Sequence, residues 1–480
     1  MTLVILSLCQ LLFSLSQAIH LRAPAASKAR VVGYDIVGER NIIHSGLDKR
    51  VTNSVTVNGS NAGTIYYANI TVGTPPQPLT VQVDTGSSEL ILYSEKISGQ
   101  PIGMYNANES SSYQYSSSDM NTSYANTIVT GDYATDIVTI GNATLPNMTF
   151  GVAYQQPQGT PDCSTWGIGT DTTLDVLQAG NRLTPYYMAQ LGLISSPSYS
   201  LWLNDIDAPS GSLLFGGVDV NKYTGILSSL PMIPDGPNGT YYSSMVPLSG
   251  LYANDENGTI VNATNATIES FPVNVTLDSG TSQIFLPLRA VGKIYDLFNV
   301  TYDDLSGQAT CACSLSASPA SVGFAFGDTT IFVPMRSIVG LGDSFDPNAC
   351  SFNIWTPKFA NIDSESDESY LLGDPFLQNA YVVYDFSNYE ISLAQSALNS
   401  TSPTRILEIM SGPDGIPNSR NATMSKPTFT ALGTPGSTFV PSPSGVGTGK
   451  PTSSGPAAKG AVNLGLGAWA LLVIVMCLTT

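Results

Sequence analysis

A pair of carboxyl groups can divide acid and base work between them, and this chain carries two in nearly the same local setting. Val81-Gln82-Val83-Asp84-Thr85-Gly86-Ser87-Ser88 recurs in altered form as Val275-Thr276-Leu277-Asp278-Ser279-Gly280-Thr281-Ser282. In each copy apolar and β-branched residues lead into the Asp, which reads as a buried strand, and a Gly two residues later permits a sharp turn. Asp84 and Asp278 are therefore expected at two strand ends. The rest of the inventory offers them little competition. The only histidines, His20 and His44, lie within the first 50 residues, ahead of a processing site, so the body of the chain has none. That excludes Ser-His and Cys-His nucleophilic sites and His-ligated zinc there. No phosphate-binding loop is present, and neither a metal nor a cofactor is expected. Carboxylates remain as the evident acid-base groups of the body.

The elements that carry these residues are read as strands. The two copies stand roughly 190 residues apart, far beyond a solenoid period of about 20 to 50, so the repeating unit is a whole lobe. A chain of 480 residues, 42% hydrophobic and 11% charged, has the composition of an ordered globular protein with room for two lobes. Short runs of Val, Ile, Thr, Tyr and Phe at 65–72, 136–140, 212–215 and 381–384 alternate with Gly, Pro, Asn and Asp turns. The fold class is all-β. The best helix candidate is 288–298, which follows Pro287 and carries its apolar residues at helical spacing. The lobes are placed at 51–228 and 229–396, with the boundary near 223–230.

Both ends read as processing signals. Residues 3–16 are an apolar run, and cleavage after Ala18 would remove a signal peptide, 1–18. Fourteen Asn-x-Ser/Thr sequons fit passage through the secretory route. A propeptide at 19–50 holds six of the 18 basic residues and ends at Lys49-Arg50, a dibasic pair of the kind kexin-type processing proteases cut. Residues 397–455 are rich in Ser, Thr, Pro and Gly and read as a stalk. Small residues at Ser453 and Ser454, a spacer, and the apolar run 464–478 have the layout of a GPI-attachment signal at 456–480, with Ser453 (or Ser454) as attachment site. The expected location is the outer face of the cell membrane or the cell wall. Cys9 and Cys477 would leave with the two signals. In an oxidising compartment Cys350 is expected to bond Cys313 or Cys311, with Cys163 open to pairing with the other. Between residues 51 and 400 there are 7 Lys/Arg against 31 Asp/Glu, which argues against nucleic acid as a partner.

The segments Asp84-Thr85-Gly86-Ser87-Ser88 and Asp278-Ser279-Gly280-Thr281 resemble the two active-site signatures of pepsin-family aspartic proteases. Flanking segments are similar as well: 66–77 resembles the family's N-terminal strand region, and Tyr370-Leu371-Leu372-Gly373-Asp374 through Asp385 its C-terminal one. The similarity covers about 51–395, and the processing site and GPI tail look most like the fungal yapsin-type members. The resemblance implies a bilobal fold with pseudo-twofold related lobes, and a monomer that hydrolyses peptides or proteins at acid pH through water activated by Asp84 and Asp278. It also implies that Thr85 and Ser279 tie the two loops together, that Gly86 and Gly280 admit substrate backbone, and that Leu371-Leu372-Gly373 and Thr165-Trp166-Gly167 brace the loops. Ser87 and Thr281 complete the loops. Tyr124 aligns with the tyrosine of the family's flap, but Ala125-Asn126-Thr127-Ile128 replaces the usual Gly-rich tip and Ile91 replaces the Trp that normally bonds that tyrosine. A silent peptide-binding relative, or a cell-wall glycoprotein on the same fold, is the alternative reading. Relatives of the yapsin type cut beside Lys or Arg, which agrees with an acidic body.

Overall fold

The computed structural model describes residues 30–40, 64–97, 103–124, 127–155, 163–171, 181–208, 211–254, 260–262, 271–303, 308–342, 348–357 and 370–423. The expected signal peptide, Lys49-Arg50, the candidate attachment residues Ser453 and Ser454, and the apolar tail all lie outside them.

Strands dominate, as the alternating β-branched runs imply. The first part of the chain contributes β1 (Val32–Arg40), β2 (Thr64–Val72), β3 (Gln77–Asp84), β4 (Leu90–Tyr93), β5 (Gln114–Tyr124), β6 (Thr127–Ile140), β7 (Ala143–Ala153) and β8 (Thr165–Gly167). A short helix, α1 (Thr184–Gln190), precedes β9 (Ser198–Trp202), β10 (Gly211–Phe215), β11 (Gly217–Asp219) and β12 (Tyr223–Pro231). One 14-stranded sheet runs from β5 at one edge through β6, β7, β4, β8, β3, β2, β1, β10 and β9. It continues through Ala380–Asp385, Glu390–Ser396 and β12 to Ser419–Asn421. The later half adds a five-stranded sheet that contains Val273–Leu277, and the expected helix is present at Leu288–Phe298. The architecture is all-β with two strand-built halves, joined by a sheet to which both contribute.

The expected segment boundaries meet this sheet in three places. The boundary at 228/229 falls inside β12, because β12 pairs along its length with Glu390–Ser396. Part of the expected propeptide, β1, is built into the sheet: it pairs with β10 and with β2, and Val32 and Ile36 are buried in the main core. The expectation that a stalk begins at 397 is corrected. Ile406–Glu408 pairs with β11, Ser419–Asn421 pairs in parallel with β12, and Ile409 and Ile416 are buried against Trp202, Val218 and Leu227. Two apolar side chains inside a Ser- and Pro-rich stretch suffice to dock it, since burying each contributes about 1.5–3 kcal/mol.

Cysteine pairing is likewise resolved. Cys313 and Cys350 form a disulfide with an S–S distance of 2.02 Å. Cys311 is not in a disulfide although it faces Cys350 directly across the strands, and burial pushes its thiol up to about 11. Pairing of Cys163 with Cys311 is corrected: Cys163 remains a buried thiol 3.7 Å from Gln82 Oε1, in the other half of the molecule.

Candidate active site

The two Asp-bearing turns rest on the same local construction. β3 lies antiparallel to β2 and parallel to β8, with Asp84 opposite Gly167. Val273–Leu277 lies antiparallel to Met245–Leu248 and parallel to Tyr370–Leu372, with Leu277 opposite Leu372. The flanking segments pin each loop through backbone groups. Ile168 N donates to Asp84 O at 2.9 Å and Gly169 N to Ser87 O at 2.8 Å. In the second copy Asp278 N donates to Leu372 O at 3.1 Å and Asp374 N to Thr281 O at 2.9 Å. Thr165-Trp166-Gly167 with the two residues after it, and Leu371-Leu372-Gly373 with Asp374, thus hold the two loops in matching ways.

Within each loop the carboxyl group is held by its own turn. Gly86 N donates to Asp84 Oδ1 at 2.8 Å and Ser87 Oγ to Asp84 Oδ2 at 2.5 Å. Gly280 N donates to Asp278 Oδ1 at 2.8 Å and Thr281 Oγ1 to Asp278 Oδ2 at 2.6 Å. The loops are then locked to each other reciprocally. Thr85 Oγ1 donates to Leu277 O at 2.8 Å and accepts from Ser279 N at 2.9 Å. Ser279 Oγ donates to Val83 O at 2.8 Å and accepts from Thr85 N at 3.2 Å. These bonds are buried, where an unpaired backbone group would be costly, so they fix the relative position of the two turns.

That lock forces the carboxyl groups together. A Cβ added to Gly86 would stand 2.5 Å from Asp278 Oδ1, and one added to Gly280 would stand 2.6 Å from Asp84 Oδ1. Both positions must therefore be glycine for reasons of approach rather than of backbone angle. Asp84 and Asp278 are 2% and 1% exposed. Burial, and next the charge of Asp84, hold the Asp278 carboxyl well above the usual carboxylate range, against the lowering effect of the Thr281 and Gly280 bonds. Two carboxyl groups at this separation cannot both ionise cheaply, so the pair holds a proton where a lone carboxylate would have lost it.

Sequence reasoning did not single out the chemistry of a third carboxyl group. Asp374 is buried, neither of its carboxyl oxygens has a hydrogen-bond partner among the described residues, and burial followed by the charge of Asp278 keeps its proton bound well above the ordinary range. Its place directly after the bracing Gly373 was the available signal. Tyr124 ends β5, paired with Thr127 across the end of the β5–β6 hairpin. Ile91 packs in a cluster with Tyr93, Ile97, Met120, Val129, Tyr133 and Ala153, so the base of that hairpin lies against the strand that follows the Asp84 turn. Glu89, Arg182 and Tyr133 meet beside this cluster, a contact that sequence spacing did not reveal.

A family model described as eukaryotic aspartyl protease matches residues 65–396. The chain is 38% identical over 383 residues to a probable aspartic-type endopeptidase opsB of Aspergillus oryzae, covering 76% of this chain and 75% of the relative. It is 32% identical to a probable aspartic-type endopeptidase OPSB of Arthroderma benhamiae across 94% of this chain and 93% of that one. With aspartic proteinase yapsin-3 of Saccharomyces cerevisiae the identity is 29%, over 70% of this chain and 67% of the other.

Proposed function

The chain belongs to the eukaryotic aspartyl protease family and is an aspartic endopeptidase, and we propose that it acts outside the cell, attached to the surface, on peptide or protein substrates at acid pH. Asp84 and Asp278 are the catalytic pair. The observation that supports this assignment is the reciprocal Thr85–Ser279 lock, with Gly86 and Gly280 each set close against the carboxyl group of the opposite loop.

The reaction follows from the charge state of the pair. The ionised carboxylate accepts a proton from a water as that water's oxygen forms a bond to the substrate carbonyl carbon. The protonated carboxyl group donates to the carbonyl oxygen, where negative charge develops. Return of a proton to the amide nitrogen then releases the amine as the C–N bond breaks. One carboxyl group cannot perform both parts, and aspartic proteases as a family are a familiar example of a proton shared between like charges. Gly86 and Gly280 leave room beside the pair for substrate backbone.

The surrounding assignments draw on sequence. Residues 1–18 direct secretion, a kexin-type protease cuts after Arg50, and the chain is joined to a GPI anchor at Ser453 or Ser454 before reaching the membrane or wall. The catalytic body works as a monomer. Its 31 carboxylates against 7 basic side chains support a preference for Lys or Arg near the cleaved bond. The test of the central reading is digestion of a peptide library by the processed protein at several pH values, with and without a pepstatin-like transition-state mimic. Cleavage confined to the acid range and blocked by the mimic is expected; cleavage that the mimic leaves untouched would refute the reading.

A further inference from the structure

We propose that Tyr133, Glu89 and Arg182 form a brace that fixes the base of the β5–β6 hairpin to the Asp84 loop, and that Tyr133 and Glu89 are positioning residues for holding the hairpin over bound peptide. This rests on the endopeptidase reading above. Tyr133 stands on β6 and donates its hydroxyl to Glu89 Oε2 at 2.9 Å. Arg182, just ahead of α1, places Nε 3.1 Å from Glu89 Oε1 and its guanidinium carbon 3.9 Å from the centre of the Tyr133 ring. Three separate elements therefore converge on one carboxylate. Around it Ile91, Met120 and Val129 keep the hairpin base apolar, and the Glu89 and Arg182 side chains are only 14% and 20% exposed. An ion pair so enclosed is less screened than a surface pair, and removal of one partner leaves the other uncompensated.

The Glu89 end of the brace is rigid. Its carbonyl accepts from Gly167 N at 2.9 Å, and a Cβ on Gly167 would stand 2.5 Å from Glu89 N, so this backbone is packed against the segment that runs beside Asp84. Glu89 also follows Ser87 by two residues, and Ser87 holds Asp84 Oδ2. Tyr133 thus adds a side-chain tie from the hairpin to the catalytic loop, beside the backbone ladder that joins β6 to β7 from Gly131–Ala153 onward. The resemblance leads one to expect a Trp bracing the hairpin from the position that Ile91 occupies. Here Ile91 supplies only apolar packing, and the polar tie comes from Glu89, two residues earlier. The other charged groups that face the brace are Asp171, beside Glu89, and Asp119, beside Tyr133.

If the brace positions the hairpin, loosening it lowers the fraction of molecules competent to bind, and apparent affinity falls by that fraction while the carboxyl pair keeps its chemistry. Tyr133→Phe deletes one hydroxyl and retains the ring under Arg182, so the fold is kept. In the full chain, Tyr133→Phe should raise KM for a peptide substrate by roughly fivefold, as for one buried hydrogen bond, with kcat changed less than twofold. Amide hydrogen exchange across 114–140 should quicken. Tyr133→Phe combined with Glu89→Gln should be no worse than Glu89→Gln alone, since both act through one contact. Unchanged KM and unchanged exchange, a loss in kcat with KM held, or additive effects would each overturn the proposal. If the unmutated chain cleaves nothing, the endopeptidase reading fails, and the exchange comparison alone still decides whether the brace exists.

Discussion

Asp374 shows how a single side chain can set the pH range in which this molecule is stable. Its carboxyl group is buried without a hydrogen-bond partner among the described residues, and its folded pKa is well above the unfolded value. Between those two values the unfolded chain binds fewer protons than the folded one, so stability is full below the unfolded pKa and is lost as pH rises through the folded pKa. Asp278 acts in the same direction. Asp374→Asn, which cannot ionise, is expected to melt at nearly the wild-type temperature at pH 4 and at a higher one near pH 7. Thermal melts of both proteins across that range check this, and a variant that loses stability toward neutral pH as steeply as wild type would remove Asp374 from the account. The repeated Asp-x-Gly signature made Asp84, Asp278 and their Thr/Ser and Gly neighbours legible in the sequence, because each copy is local. The isolation of Asp374 was not legible, since it depends on what fails to lie near it in three dimensions.

Elements were readable where their periodicity was strong. The helix Leu288–Phe298 and the strands β2, β10 and Ala380–Asp385 occupy the stretches whose residue types suggested them. Composition misled at the C-terminal end, where Ser- and Pro-rich sequence concealed a strap. Ile406–Glu408 and Ser419–Asn421 are short, and their strand partners β11 and β12 lie roughly 190 residues earlier in the chain, a pairing that no local pattern announces. The Arg420–Asp328 ion pair at 3.0 Å and the Ser195 hydroxyl donating to Glu408 at 2.5 Å add polar ties. A chain ending at residue 396 should therefore melt several degrees below one ending at residue 423, given the two isoleucines it would no longer bury. Equal melting temperatures would return 397–423 to the status of a stalk. On the other side of the body, the Cys313–Cys350 bond joins residues 37 apart in sequence, which on the chain-entropy model stabilises by about 3 to 4 kcal/mol. Spacing narrowed the partner of Cys350 to two candidates. Strand register would not have made the choice either: Cys311 lies directly opposite Cys350, yet the bond is made to Cys313.

At the scale of the whole molecule, two features govern what the protein meets and what it does to it. The first is charge. With 31 acidic against 7 basic residues between 51 and 400, the preference for cationic peptides proposed above depends on carboxylates that are ionised. Free Asp and Glu titrate near about 3.9 and 4.3, so the preference should grow from pH 4 to pH 6 and weaken with salt. Paired peptides differing only by Lys or Leu at the cleaved position test this, and equal or faster cleavage of the Leu peptide at pH 6 and low salt would end the idea. The second feature is the lock between the halves, which makes one site from two turns that are far apart in sequence. The most direct measurement of the central claim is the rate of peptide cleavage between pH 3 and pH 6 by Asp84→Asn and Asp278→Asn proteins, each first shown by its melting curve to be folded. The account predicts that both lose turnover at every pH, because the amide can serve neither as the base nor as the acid of the pair. Ordinary turnover in either variant would contradict it.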